Sequence, residues 1–282
     1  MMPKPTIAIV GPGRLGTALA RELFRAGYVI REIISRDNPA SKRKATALAK
    51  SVRARVGAAK RAHLEADLVW FCVPDREIAK AASALAKLWR GKFAFHSSGA
   101  LTSDELKPLR RAGVSVASVH PLMTFVRNSS PSLKGVPFAI EGDVAAVKAG
   151  REIARKLGAE PFSIPKQNKV AHHAWGAFTS PLLVALFAAA EEVAGLAGLP
   201  ATEARRKMLP IIRQTIANYA ALGPEKALTG PLVRGDVEIV RKHLTALSKT
   251  AEAKSVYRAL SDSVLAGSRV RDAKNLRKLL KG

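Results

Sequence analysis

A single cysteine, few aromatic side chains and a shortage of acidic residues mark this chain of 282 residues. Cys72 alone cannot close an internal disulfide, and its place in a short apolar run makes it a small core residue rather than a reactive thiol. Aromatics are 5% of the chain, and 22 Asp and Glu face 47 Lys and Arg, for a formal charge of +25. A basic surface attracts phosphate whatever its sequence. Yet the cations are spread along the chain, with no zinc-finger spacing, ribonucleoprotein motif or disordered basic tail, so no specific nucleic-acid partner and no metal are expected. Long apolar runs are missing too. The longest, Pro181 to Ala190, is too short to cross a bilayer, and the N-terminal run is broken by glycine and proline rather than built as a signal peptide. The expectation is a cytoplasmic protein without a membrane partner. Low-complexity segments and internal repeats are absent, and 48% apolar residues suffice for a packed core.

What the chain does have is a glycine-rich turn near its start, Thr6-Ile-Ala-Ile-Val-Gly-Pro-Gly-Arg-Leu-Gly16, between a short apolar strand and an amphipathic helix. Gly11 permits the sharp turn, Gly13 lets a pyrophosphate approach the backbone, and Gly16 lets helix and strand pack closely. The free N–H groups and positive dipole end of the helix suit phosphate. Gly11, Pro12, Gly13, Arg14, Leu15 and Gly16 are therefore the candidate dinucleotide cradle, because the motif has the strand-turn-helix context that a chance match lacks.

Short apolar runs then alternate with helical patterns. Strands are expected near 6–10, 29–34, 68–73, 92–96, 114–119 and 136–141, with helices at 14–26, 77–89 and 102–112, which is the rhythm of a doubly wound parallel sheet. Asp143 is expected to cap a helix to about Leu157, and 159–164 to form a last edge strand. From Lys166 the pattern becomes helical: 168–196, with Pro181 as a kink, then 202–222, 236–247, 251–265 and 269–280. The domain reading is a dinucleotide-binding domain at 1–164 followed by an all-helical domain at 165–282. One segment, Arg31 to Arg61, is unusually basic and lies beside the cofactor turn.

In such a sheet an acidic residue ending the second strand accepts the ribose hydroxyls of NAD. Here Ser35-Arg36 stands in its place. An arginine fork with a neighbouring hydroxyl suits a 2′-phosphate, so NADP is expected ahead of NAD, with an ordinary surface arginine as the alternative. Asp37 is free either to pair with Arg36 or to face solvent. Val73 and Pro74, at another strand end, should border the cofactor by shape, and Asp75 reads as a helix cap rather than an acid catalyst.

Two strand ends are polar: His96-Ser97-Ser98-Gly99 and Ser118-Val119-His120-Pro121. Both should open on the edge that carries the glycine turn. Ser97 and Ser98 read equally as substrate contacts or caps of the helix that follows, and His120 as a cleft imidazole or a buried structural one. Lys169 and His173 are four residues apart and share a helix face, where a cationic donor beside an imidazole suits protonation of a carbonyl oxygen or imine nitrogen. Arg234 could bind a substrate carboxylate, with Asp236 as the cap of the next helix.

The motifs His96-Ser-Ser-Gly-Ala100, His120-Pro-Leu-Met-Thr-Phe125 and Leu228-Thr-Gly-Pro-Leu-Val-Arg-Gly-Asp236 span both halves. On them the chain resembles the Rossmann-like family whose helical C-terminal half is a domain of unknown function (DUF2520). That family lies within the group of 6-phosphogluconate dehydrogenase, β-hydroxyacid dehydrogenase and pyrroline-5-carboxylate reductase. Lys169-Val-Ala-His-His173 is similar to the Lys-x-x-x-Asn helix of the hydroxyacid dehydrogenases, with His173 where they carry asparagine. The resemblance implies a fold of the 6-phosphogluconate dehydrogenase C-terminal type after the Rossmann domain, Lys169 as general acid, a homodimer formed by the helical domain, and a site between the domains. Three functions follow in order: an NADP-dependent oxidoreductase acting on a small carbonyl, hydroxy acid or imine, with Lys169 or His173 as proton donor and His120 and Ser97 orienting substrate; a non-catalytic NADP-binding sensor; and a nucleic-acid binder resting on charge alone.

Overall fold

The computed structural model describes residues 4–58, 64–126, 131–267 and 270–281. The end of the basic segment, at Arg61, and the expected start of the last helix, at Arg269, lie outside the described residues. The chain forms two compact units, Met1–Ala177 and Phe178–Gly282.

The first unit runs β1 (Ile7–Val10), α1 (Arg14–Arg25), β2 (Ile30–Ser35), α2 (Pro39–Ser51), β3 (Arg55–Ala58), β4 (Leu68–Phe71), α3 (Asp75–Leu85) and β5 (Phe93–His96). A 3-10 turn, Ser103–Leu106, leads into α4 (Lys107–Arg111), followed by β6 (Ser115–Pro121), β7 (Pro137–Gly142), α5 (Val144–Lys156), β8 (Glu160–Ser163) and all but the last two residues of α6 (Lys169–Thr179). The eight strands form one sheet in the order β3-β2-β1-β4-β5-β6-β7-β8. Strands β1 and β4 are buried along their whole length, which is why both read as unbroken apolar runs. Helices on both faces close separate apolar clusters, one around Ile7, Leu19, Trp70 and Phe138, the other around Ala8, Phe71, Ile78 and Leu106.

The first unit departs from expectation in two features of its sheet and in one helix. Strands β6 and β7 pair antiparallel, and no helix lies among the described residues between them. The edge strand β3 was not expected: it has Arg55 and the exposed Val56 where an apolar run would be. The expected helix at 102–112 is a 3-10 turn followed by one short α-helix. Two expected caps also differ. Asp143 occupies the N-cap position of α5 without capping it; its carboxylate instead accepts from Arg110 Nε at 3.0 Å and from the Val116 N–H at 2.9 Å. Asp75 is the first residue of α3 and makes no cap, its carboxylate turning to Ser98.

The second unit holds α7 (Pro181–Leu196), α8 (Ala201–Ala227, kinked at Gly223), α9 (Pro231–Arg234), α10 (Val237–Ala246), α11 (Ala251–Gly267) and α12 (Ala273–Lys281). The single helix expected at 168–196 is broken at Ser180, where Pro181 starts α7. Its small core gathers Val240, Leu244, Leu265, Leu276 and Leu280 from α10 to α12. By contrast, none of the sixteen residues of α7 is buried. The stretch Lys166–Leu196 is long and apolar enough to cross a membrane by length and composition, which the run at Pro181 to Ala190 alone did not suggest. An apolar hollow of about 640 Å³ lies in this unit, lined by α7 and α11 residues such as Leu186, Val193 and Leu260, with a His243 Nδ1 to Tyr257 hydroxyl hydrogen bond of 3.1 Å at its wall.

Candidate active site

The strand order reverses between β1 and β4, and the glycine turn lies at that point on the edge formed by the carboxyl ends of the parallel strands. Gly11 has φ +102°, and a Cβ there would lie 2.7 Å from the Cys72 carbonyl oxygen. A Cβ on Gly16 would lie 2.1 Å from the Gly11 carbonyl oxygen, so both glycines are required by the fold. Gly13 differs. Its φ is −79° and a Cβ would find its nearest neighbour 3.9 Å away, so nothing inside the protein forbids a side chain there. Gly13 is also the N-cap of α1, whose first turn has no acidic residue. The turn therefore leaves a bare, positively polarised helix end, and the residues present fit a pyrophosphate.

Along the same edge, Ser35 ends β2 and is buried, its hydroxyl donating to the Arg36 carbonyl at 3.3 Å, while Arg36 is exposed. Asp37 pairs with Lys42 of α2 at 2.6 Å, and Asn38 caps that helix through the Ser41 N–H. Val73 and Pro74 lie between β4 and α3, with Val73 Cγ1 directly against the Gly11 turn. The Cys72 thiol is pushed up to about 12 by burial, which makes it inert near neutral pH.

The two polar strand ends and α6 come together. Lys169 is fully buried, and its ammonium donates to the Ser98 carbonyl oxygen and to Ser118 Oγ, both at 2.8 Å. Burial pulls it down to about 8, opposed by the nearby carboxylates of Glu141 and Asp75. Its expected helix-mate His173 is exposed, yet converges on the same turn: a Cβ on Gly99 would lie 2.5 Å from His173 Cδ2 and 2.9 Å from His120 Nε2. His120 Nδ1 is 3.2 Å from His172 Nε2, with the two rings edge to face. Burial and the neighbouring cation Lys169 hold His120 down at about 3, so at neutral pH it offers hydrogen bonds but no charge. His172 is lowered for the same reasons.

Ser98 is the hub of this arrangement. Its N–H donates to His96 Nδ1 at 3.1 Å, its carbonyl takes Lys169, its hydroxyl donates to Asp75 at 2.9 Å, and the same oxygen accepts from the Leu101 N–H at 2.9 Å. Since His96 Nδ1 accepts, its Nε2 carries the proton and donates to the Thr102 carbonyl at 2.8 Å. This fixes a neutral tautomer, consistent with a group lowered to about 4, chiefly by burial. Ser97, by contrast, is committed to the core: its Oγ accepts from Trp70 Nε1 at 2.8 Å. A second network steadies the start of α6. Lys166 donates to Asp104 at 2.7 Å, and Arg110 bridges Asp104 and Asp143. These partners hold the Asp104 carboxyl down at about 2.

Two members of the cluster escaped the sequence reading. His172 lies three residues after Lys169, so helical spacing could have placed it near that face. Glu141 is the register partner of Ser118 across β6 and β7, visible only once the antiparallel pairing is known. Arg234 belongs to the second unit, where it pairs with Asp236 at 2.8 Å, and Asp236 caps nothing with its side chain.

A sheet that reverses at a glycine turn opening a helix defines the Rossmann class of nucleotide-binding folds. Residues 2–121 match the Rossmann-like domain and residues 136–264 match the domain of unknown function (DUF2520), so the chain is a Rossmann-like protein carrying a DUF2520 domain. No curated protein sequence matches it. Among solved structures it is similar to protein BF3122 of Bacteroides fragilis, with 24% identity, 93% of this chain and 98% of that chain covered, and a TM-score of 0.77. Protein TM1727 of Thermotoga maritima is similar at 25% identity, with 98% of each chain covered and a TM-score of 0.71. An imine reductase of Myxococcus stipitatus in complex with NADP+ shares the fold at 18% identity, with 98% and 100% covered and a TM-score of 0.66. The V8 variant of that imine reductase is in complex with NAD+.

Proposed function

We propose that this protein is a cytoplasmic nicotinamide-dependent reductase that uses NADP(H) in preference to NAD(H) and acts on a small carbonyl or imine, or in reverse on a hydroxy acid or amine. The observation that carries the reading is one sheet edge holding both a phosphate-fitting helix end at Gly13 and a buried lysine at the neighbouring strand ends. NADPH supplies hydride when bound at such an edge. Gly11 to Gly16 would hold its pyrophosphate, Arg36 its 2′-phosphate, and Val73 and Pro74 would border it. Hydride arrival leaves negative charge on oxygen or basicity on nitrogen, which a proton donor must meet. Lys169, at about 8, is roughly nine-tenths ammonium at pH 7 and can both give and regain a proton. Neutral His120 would orient the substrate, with exposed His173 beside it.

Lys169→Met should retain NADPH affinity and lose roughly a hundredfold or more in turnover, measured with a panel of carbonyl and imine substrates. Unchanged turnover would remove the proposed acid. Arg36→Ala should weaken NADPH by roughly tenfold to a hundredfold while sparing NADH, and calorimetry showing equal losses would overturn the NADP preference.

A second reading, an NADP-binding sensor without turnover, is favoured by one observation: Lys169 has no exposed surface. Tight NADPH binding with no consumption across the panel would select it. Either reading includes a homodimer formed through the helical unit, supported by the uncovered apolar length of α7.

A further inference from the structure

Asp75 lies outside the glycine turn and outside the polar strand ends, at the first residue of α3. Its carboxylate nevertheless reaches the residue on which the lysine rests. The Ser98 hydroxyl donates to Asp75 Oδ2 at 2.9 Å, and the Ser98 carbonyl accepts from Lys169 Nζ at 2.8 Å. The hydroxyl oxygen also takes the Leu101 N–H, so the Ser98 side chain is fixed from both sides. Gly99, next in the chain, is the contact point for the His120 and His173 rings. A shift of this one peptide would therefore move the acceptor of the ammonium and the seat of both imidazoles together.

We propose that Asp75 is a positioning residue: acting through the Ser98 hydroxyl, it clamps the Ser98–Gly99 peptide and so trains the Lys169 ammonium at the strand ends of β5 and β6. This deepens the reductase reading and rests on it. A hydrogen bond to an ionised acceptor is stronger and shorter than a neutral one, so a carboxylate makes a stiffer clamp here than water or an amide would. Its charge acts as well. The charged and titratable groups facing Lys169 are Asp75 from α3, His96 from β5, His120 from β6, Glu141 from β7 and His172 from α6, with the exposed His173 acting on His120 and His172. Glu141 is spoken for by Ser103, whose N–H and hydroxyl both donate to it. Asp75 is thus the carboxylate hydrogen-bonded to Ser98, whose carbonyl accepts the ammonium.

The test reads Lys169 itself in the intact protein labelled with 13C,15N-lysine, its signal assigned by loss in Lys169→Met. Asp75→Ala and Ser98→Ala should each speed solvent exchange of the Lys169 ammonium protons by roughly tenfold or more, the loss expected of a charge-assisted hydrogen bond. The double variant should be no faster than either single one, since both break the same clamp. Asp75→Asn keeps an acceptor but removes the charge. Its exchange should lie between that of the parent protein and that of Asp75→Ala, while the Lys169 titration midpoint falls by about 0.5 pH unit. Asp67→Asn, at the start of β4 on the opposite sheet edge, should leave the signal unmoved although it removes a carboxylate with its own Thr6 hydrogen bonds. Unchanged exchange in Asp75→Ala, or additive effects in the double variant, would overturn the clamp. Where Asp75→Ala does not fold, unchanged exchange in Ser98→Ala or an unmoved midpoint in Asp75→Asn does so. None of these signals depends on turnover. No NADPH consumption by the parent protein across the substrate panel sinks the reductase reading and full activity in Lys169→Met removes the proposed acid, whereas a failed exchange cycle with an active parent and an inactive Lys169→Met sinks the clamp alone.

Discussion

The sheet unit and the helical unit contain stretches of similarly apolar sequence but dispose of them in opposite ways. In the first, β1 and β4 are covered on both faces, and Ile7, Leu68 and Trp70 have no exposed surface. In the second, Val184, Ile211 and Tyr219 are each at least 60% exposed, and α7 buries nothing. One unit closes its central apolar runs within itself; the other leaves apolar residues exposed along α7 and α8. An exposed apolar face of this extent marks a candidate interaction surface.

The largest test of that contrast is at α7. Leu182→Glu together with Leu186→Glu should leave the first unit folded while weakening self-association by at least about a thousandfold, if α7 lies at the centre of a homodimer interface. Sedimentation of the variant at the parent's oligomeric state would remove the dimer reading.

The sheet unit's closure has a cost that pH exposes. Lys169 has a folded value of about 8 against an ordinary 10.5, so the unfolded chain binds more protons between those values and stability rises with pH across that window. The gain is on the order of 3 kcal/mol. Denaturant melts from pH 8 to 10.5 should show this rise relative to Lys169→Met, and parallel curves for the two proteins would contradict it. His96 and His120, held at about 4 and about 3 against 6.5, give the acid counterpart. Again the unfolded chain binds more protons, so stability conferred by the neutral imidazoles is complete above about 6.5 and is lost as pH falls toward 4 and 3. His120→Gln should flatten that acid limb.

The smallest expected effect distinguishes two glycines of one turn. Gly16→Ala meets the Gly11 carbonyl and should lower Tm, whereas Gly13→Ala meets open space and should leave Tm within error while weakening NADPH by roughly tenfold. A Gly13→Ala protein that binds NADPH as the parent does would mean that no phosphate approaches there.

Much of the sheet was legible because central parallel strands are apolar on both faces and leave an unmistakable run, as at Leu68 to Phe71. Edge strand β3 was not, since Arg55 and Val56 face solvent and carry no pattern. Lys169 and His173 could be paired from their helical spacing, but that spacing assigned them one environment. In the folded chain the lysine is sealed between two strand ends while the histidine remains open to solvent. The capping carboxylates were misread for a related reason: Asp75 and Asp143 stand where caps stand, but each found a stronger partner distant in sequence.

By itself the sequence determined the glycine turn, the alternation that makes the sheet, the passage to helices after Lys166 and the residue types gathered at each strand end. These are local matters, set by backbone sterics and by the periodicity of burial. Tertiary structure alone decided that β7 runs against β6, that Ser98 joins Asp75 to Lys169, and that His96 and His120 are neutral. Those properties arise from groups tens of residues apart, and from the removal of water around them, which no local pattern records.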